Sequence, residues 1–221
     1  MRRRDRRQSP DPLEDAASPA SLLQAAEALL APEVTRRRLG VQRIQRLGVH
    51  RSSPFVAALL ARCLCEPDVS LRSAIVQMLA EALSPEEEGR PELENVRAWA
   101  CGMLNGMRQR EIYALVQVAH NSRGSIPAVC RLLEYCPFAG STLVRIVTNS
   151  PGDVEIRAAA AELLGCIGYL DACLMLDGLV ARLQRRQEAR PGWSLTPGSR
   201  EVEILLPAAM AARAALAEAE Q

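Results

Sequence analysis

The sequence predicts an all-α fold, an α-solenoid built from antiparallel helix pairs, and three observations carry that expectation. The first is a repeated motif. An acid, a valine, two spacers and an arginine recur at Glu33-Val34-Thr35-Arg36-Arg37, Asp68-Val69-Ser70-Leu71-Arg72 and Asp153-Val154-Glu155-Ile156-Arg157. The first two copies lie 35 residues apart and agree beyond the motif, Pro32 with Pro67, Val41-Gln42 with Val76-Gln77 and Ile44 with Leu79. A period of this size is that of stacked helix pairs, in which each unit buries its apolar face only against its neighbours. The second is composition: 48% hydrophobic but only 3% aromatic, rich in Ala and Leu, which suits closely crossing helices better than sheets. The third is punctuation, with Pro, Gly and Asn-Ser signals separating apolar stretches of helical period.

Along the chain, residues 1–18 read as an Arg- and Pro-rich tail without apolar periodicity, and residues 19–221 as one helical domain. Leu22, Leu23, Ala26, Leu29 and Leu30 form the stripe of a first helix after Ser18-Pro19. Pro32-Glu33 opens a second, with Val34, Val41, Ile44 and Leu47 on its buried face and Gly48 as its stop. Ser52-Ser53-Pro54 starts a third helix through Leu64, and Pro67-Asp68 starts a fourth through Leu83. The charged stretch Ser84 to Pro91 is a surface loop. From Val96 to about Gly106 runs a helix that lacks its pair-mate, so the unit near 84–107 is irregular. Glu111 to His120, Ser125 to Tyr135, Ala139 to Thr148 and Asp153 to Gly165 give four more helices, and Leu170 to Gln187 a longer one. A turn-rich segment around Trp193 precedes a C-terminal capping helix at 200–220, which brings the total to about eleven helices.

Composition narrows function as well as fold. All 27 basic residues are Arg, yet the net charge is only +1, so no global field draws in a polyanion. The Arg bias itself reads as the mark of a GC-rich genome. Seven cysteines are scattered and odd in number, Cys63-x-Cys65 diverges on a helix, and no second pair supplies zinc-ligand spacing. They read as small buried hydrophobes, in a chain expected to be cytoplasmic because Met1 to Arg7 leads into Gln-Ser-Pro-Asp-Pro and not into an apolar core. His50 and His120 neighbour no triad or metal pattern, and Gly165-x-x-Gly168 is a helix end and not a phosphate loop. No enzyme, cofactor or metal is expected from these residues.

From Asp153 to Gly168 the order acid-x-x-Ile-Arg-x-x-Ala-Ala-x-x-Leu-Gly-x-Ile-Gly resembles a HEAT repeat, most of all the short bacterial type known from phycobilin lyases. Asp68 to Leu83 and Val96-Arg97 to Leu104 are weaker copies, and the resemblance spans roughly residues 20–187. It implies that Asp68, Arg72, Arg97, Asp153 and Arg157 belong to a structural ladder between repeats, broken where Leu93 replaces the acid before Arg97. It also implies a non-catalytic scaffold that holds a protein partner on its curved face. Arg43 and Arg46, on the solvent side of the second helix, and Trp193 are the candidate partner-binding residues. Two alternatives follow from related repeats: a nucleic-acid binder similar to alkylpurine glycosylases, using Arg36, Arg37, Arg38, Arg43 and Arg46 with Trp99 or Trp193, or a bilin lyase-like protein.

Overall fold

The computed structural model of the chain describes residues 18–84, 91–149, 151–189 and 199–220. The tail before Ser18, most of the charged loop and Trp193 lie outside the described residues. Within them there are eleven α-helices and no strand. These are α1 (Pro19–Leu29), α2 (Val34–Leu47), α3 (Pro54–Arg62), α4 (Val69–Ala82), α5 (Pro91–Asn105) and α6 (Gln109–Asn121). The remainder are α7 (Ile126–Glu134), α8 (Ala139–Thr148), α9 (Val154–Cys166), α10 (Cys173–Glu188) and α11 (Arg200–Ala219).

Local chemistry sets most of these boundaries. Ser18 and Ser53 cap α1 and α3 through their hydroxyls, each followed by a proline whose missing N–H is no loss at a helix start. Asp68 Oδ1 accepts from Leu71 N at 2.8 Å, and Asp153 Oδ1 accepts from Glu155 N at 3.0 Å, so two of the three motif acids cap their helices, while Glu33 stands at the N-cap position without a side-chain hydrogen bond. Gly48 ends α2 in the left-handed region at φ 64°, where a side chain would strain the backbone. Two starts differ from the sequence expectation by more than two residues. Helix α5 begins at Pro91, five residues before Val96, because a proline at the first position serves as a start signal. Residues Leu170–Ala172 form a 3-10 turn, so α10 starts at Cys173.

Chain neighbours pack as pairs at α1–α2, α3–α4, α6–α7, α8–α9 and α10–α11, while α5 lies on α3 and α4. A second set of contacts links α2 to α4, α4 to α6, α6 to α9 and α9 to α11. Cross-links show that α2 and α4 run in the same direction. Arg38 near the start of α2 meets Asp68 before α4, and His50 and Arg51 beyond α2 meet Glu81 near the end of α4. The same holds for α9 and α11, where Arg157 pairs with Glu201 and Gly165 lies against Ala212. One hydrophobic cluster extends from Ala25 to Leu216. Small residues permit the closest crossings: a Cβ on Gly40 would stand 2.5 Å from Leu29 N, and one on Gly165 would stand 3.0 Å from Ala212 Cα.

The motif arginines share one construction. Arg37, Arg72 and Arg157 each turn back to a main-chain carbonyl before their own helix and reach forward to a later element. Arg37 donates to Ala31 O at 3.1 Å and Pro32 O at 2.5 Å, and grips both carboxylate oxygens of Glu66 at 2.8 Å. Arg72, 6% exposed, donates to Glu66 O at 2.7 Å, Ala114 O at 3.2 Å and Gln117 Oε1 at 2.6 Å. Arg157, 1% exposed, donates to Val147 O at 2.8 Å and to Glu201 Oε1 at 2.9 Å. The clamps therefore hold the preceding turn and the following unit with one side chain. Their acids do not pair with them: Asp68 serves as a cap and meets Arg38 at 3.1 Å, and Asp153 is an exposed cap. Arg97 donates to Ser84 O, the same backward reach without an acid four residues before it.

Candidate functional site

Once the clamps are subtracted, the five arginines of the second helix fall into two groups. Arg37 is taken by Glu66, and Arg38 by Asp68. Arg36 and Arg43 have no hydrogen-bond or ion-pair partner among the described residues, and Arg46 makes only a 3.4 Å contact from Nε to Gln42 O of its own helix. On a helix, positions 36, 39, 43 and 46 fall within one narrow arc. The stripe they form is Arg36, Leu39, Arg43 and Arg46. Leu39 is 59% exposed at its centre, Arg36 and Arg46 are exposed, and Arg43 is half-buried. Beside it, Gln42, Gln45 and Arg46 line a shallow depression.

This arrangement suits recognition of a surface that is acidic around an apolar centre. Guanidinium groups pair bidentately with carboxylates, and a desolvated aliphatic side chain between them supplies the apolar contact. The sequence singled out Arg43 and Arg46. Arg36 entered only the nucleic-acid alternative and Leu39 was missed, although their spacing of seven and four from Arg43 was a usable signal. Trp193, the third candidate, lies outside the described residues. Of the ladder residues, Arg72 and Arg157 are buried and Asp68 and Arg97 are half-buried, while Asp153 is exposed at the edge of a cavity.

Two recesses flank α9. One, of about 450 Å³, is bounded by Gln109 and Tyr113 of α6, Arg145 and Asn149 at the end of α8, and Asp153 and Arg157 at the start of α9. The other, of about 500 Å³, has alanines of α9 and α11 for a floor and His120, Arg123, Glu155 and Glu162 on its walls. The charges of the second are matched within the fold, since Arg123 pairs with Glu162 at 3.2 Å and Arg200 pairs with Glu155.

His50 is buried in the turn after α2, with Nε2 3.0 Å from Glu81 Oε2, while His120 is exposed in the last turn of α6. All seven cysteines are free. Cys130 and Cys136 are buried as read from the sequence, whereas Cys166 is exposed at the end of α9. Burial pushes the thiols of Cys63, Cys65, Cys101, Cys130 and Cys136 above their ordinary value, which leaves them protonated and weakly nucleophilic. No helix among the described residues is long and apolar enough to cross a membrane.

Comparison of the chain with protein-family models, with curated proteins and with solved structures finds no match.

Proposed function

We propose that the chain is a non-catalytic protein-interaction scaffold of the HEAT-repeat type, an α-solenoid that presents a basic stripe to an acidic partner protein. The observation that carries the reading is the division among the arginines of α2. Arg37 and Arg38 are committed to internal carboxylates, whereas Arg36, Arg43 and Arg46 flank exposed Leu39 with no acid paired to them among the described residues. The side-by-side order of α2, α4, α6, α9 and α11 supports the solenoid, and the clamp shared by Arg37, Arg72 and Arg157 supports a repeat. Trp193, outside the described residues, is the aromatic anchor candidate of this reading.

The test is affinity capture with the full chain, wild type against Arg43→Glu/Arg46→Glu, at low and at raised ionic strength. The wild type is expected to hold a defined acidic protein that the double variant loses. Retention of every recovered protein by the variant refutes the surface. Equal binding of any duplex DNA, falling steeply with salt and removed by the same substitutions, moves the protein to the nucleic-acid class.

A further inference from the structure

The cavity of about 450 Å³ at the junction of α6, α8 and α9 has the size of a small-molecule site. Its chemistry is set by two guanidinium groups that the fold leaves partly unused. Arg145, exposed at the end of α8, has no carboxylate partner among the described residues, and its Nη2 donates to Gln109 Oε1 at 3.1 Å. That hydrogen bond ties it to another residue of the cavity wall. Arg157 satisfies Nε on Val147 O and Nη1 on Glu201, but its Nη2 is buried with no hydrogen-bond partner among the described residues. A buried guanidinium N–H without an acceptor is costly, and two acceptor oxygens on one planar group match the fork of such a donor.

We propose that this cavity binds a small monocarboxylate with an apolar body, its carboxylate held between Arg145 and Arg157. The start of α9, a helix of 13 residues, contributes the positive end of its dipole to the same wall. Asp153 decides between anions. Arg145 and Arg157 are offset by Asp153 on the lining and by Glu201 behind Arg157, so the site tolerates no more than a single added negative charge. A phosphate dianion leaves negative charge uncompensated beside Asp153. Tyr113, Ile146 and Ile156 supply the apolar side of the cavity, against which a short hydrocarbon or a ring rests. The site is separate from the stripe on α2, and neither inference depends on the other.

The experiment is isothermal titration of the full chain with sodium benzoate, sodium butyrate, sodium phosphate and sodium chloride at constant ionic strength. Benzoate or butyrate is expected to bind saturably at one site, with phosphate at least about tenfold weaker and chloride without effect. Arg145→Gln, at an exposed position whose loss leaves the core intact, is expected to weaken the carboxylate at least about tenfold, while Arg43→Glu leaves it unchanged. The proposal is overturned if neither carboxylate binds saturably, if phosphate binds as well as they do, or if Arg145→Gln shifts affinity by less than about twofold. A crystal structure with benzoate bound away from Arg145 and Arg157 overturns it as well.

Discussion

Replacing Arg72 by methionine separates a clamp from a recognition residue. Methionine keeps much of the side chain's apolar volume and removes only the guanidinium. In the native fold that group is 6% exposed and donates to Glu66 O, Ala114 O and Gln117 Oε1 at 2.7, 3.2 and 2.6 Å. Hydrogen bonds to a charged group are each worth about 1.5–3 kcal/mol. Ala114 O already serves its helix and Gln117 is half-buried, so the main loss is at Glu66 O, before α4 begins. Relief of the buried charge's desolvation offsets part of that loss, and the expected net destabilisation is about 2–4 kcal/mol. Against a total stability of about 5–15 kcal/mol this is a large fraction, readable as a shift in the urea midpoint at unchanged slope. Arg36→Met is the control. Arg36 is exposed and unpartnered among the described residues, so its replacement is expected to change stability by no more than about 0.5 kcal/mol. A loss below about 1 kcal/mol for Arg72→Met, or an equal loss for Arg36→Met, refutes the assignment of Arg72 as a clamp.

Two further predictions concern packing and pH. Gly40→Ala and Gly178→Ala gain the same helix propensity, but a Cβ on Gly40 meets Leu29 N at 2.5 Å and one on Gly178 meets nothing within 4 Å. Gly178→Ala is expected to stabilise by about 0.5–1 kcal/mol and Gly40→Ala to destabilise by about 1–3 kcal/mol, both measured by urea unfolding; the same sign for both contradicts the close α1–α2 crossing. Burial pushes the Glu201 carboxyl upward, but the Arg157 hydrogen bond and the charges of Arg157, Arg186 and Arg182 outweigh it and hold the group below its ordinary 4.5. A carboxyl depressed in the folded state stabilises it above the unfolded pKa, and that contribution disappears as pH falls through the folded value. The thermal midpoint of Glu201→Gln is therefore expected below wild type at neutral pH, with the gap closing below pH 4.5; a gap independent of pH contradicts the ion pair.

Most of the helical order was legible because its signals are local. Caps at Ser18, Ser53, Asp68 and Asp153, prolines after two of them and the left-handed Gly48 lie within a turn of the boundary they set. The start of α5 was misread because Val96-Arg97 matched the motif and drew the boundary inward, although Pro91 is the physical signal. What escaped was every feature whose partner is distant in the chain. Glu66 is 29 residues from Arg37, and Glu201 is 44 from Arg157, so no window around either arginine contains its carboxylate. Within one helix Arg37 and Arg43 are chemically identical, and only Glu66, brought alongside by the turn between α3 and α4, makes the first a clamp.

The same separation explains why the cavity beside α9 was invisible. Its walls come from α6, α8 and α9, and its Arg145 and Tyr113 belong to no repeated motif. Arg157 was singled out for its place in the repeat, and that place is what buries it. A clamp must give one nitrogen to the preceding turn and one to the following unit, and a guanidinium has a third. In Arg37 and Arg72 the donors are occupied by Glu66, Ala31, Pro32, Ala114 and Gln117 or lie near solvent. At Arg157, where α9 packs most extensively with α11, the third nitrogen is enclosed without an acceptor. Arg37 spends all three nitrogens, whereas Arg157 spends two, and where packing encloses the third beside a cavity, the structural residue is also the one proposed to hold a ligand.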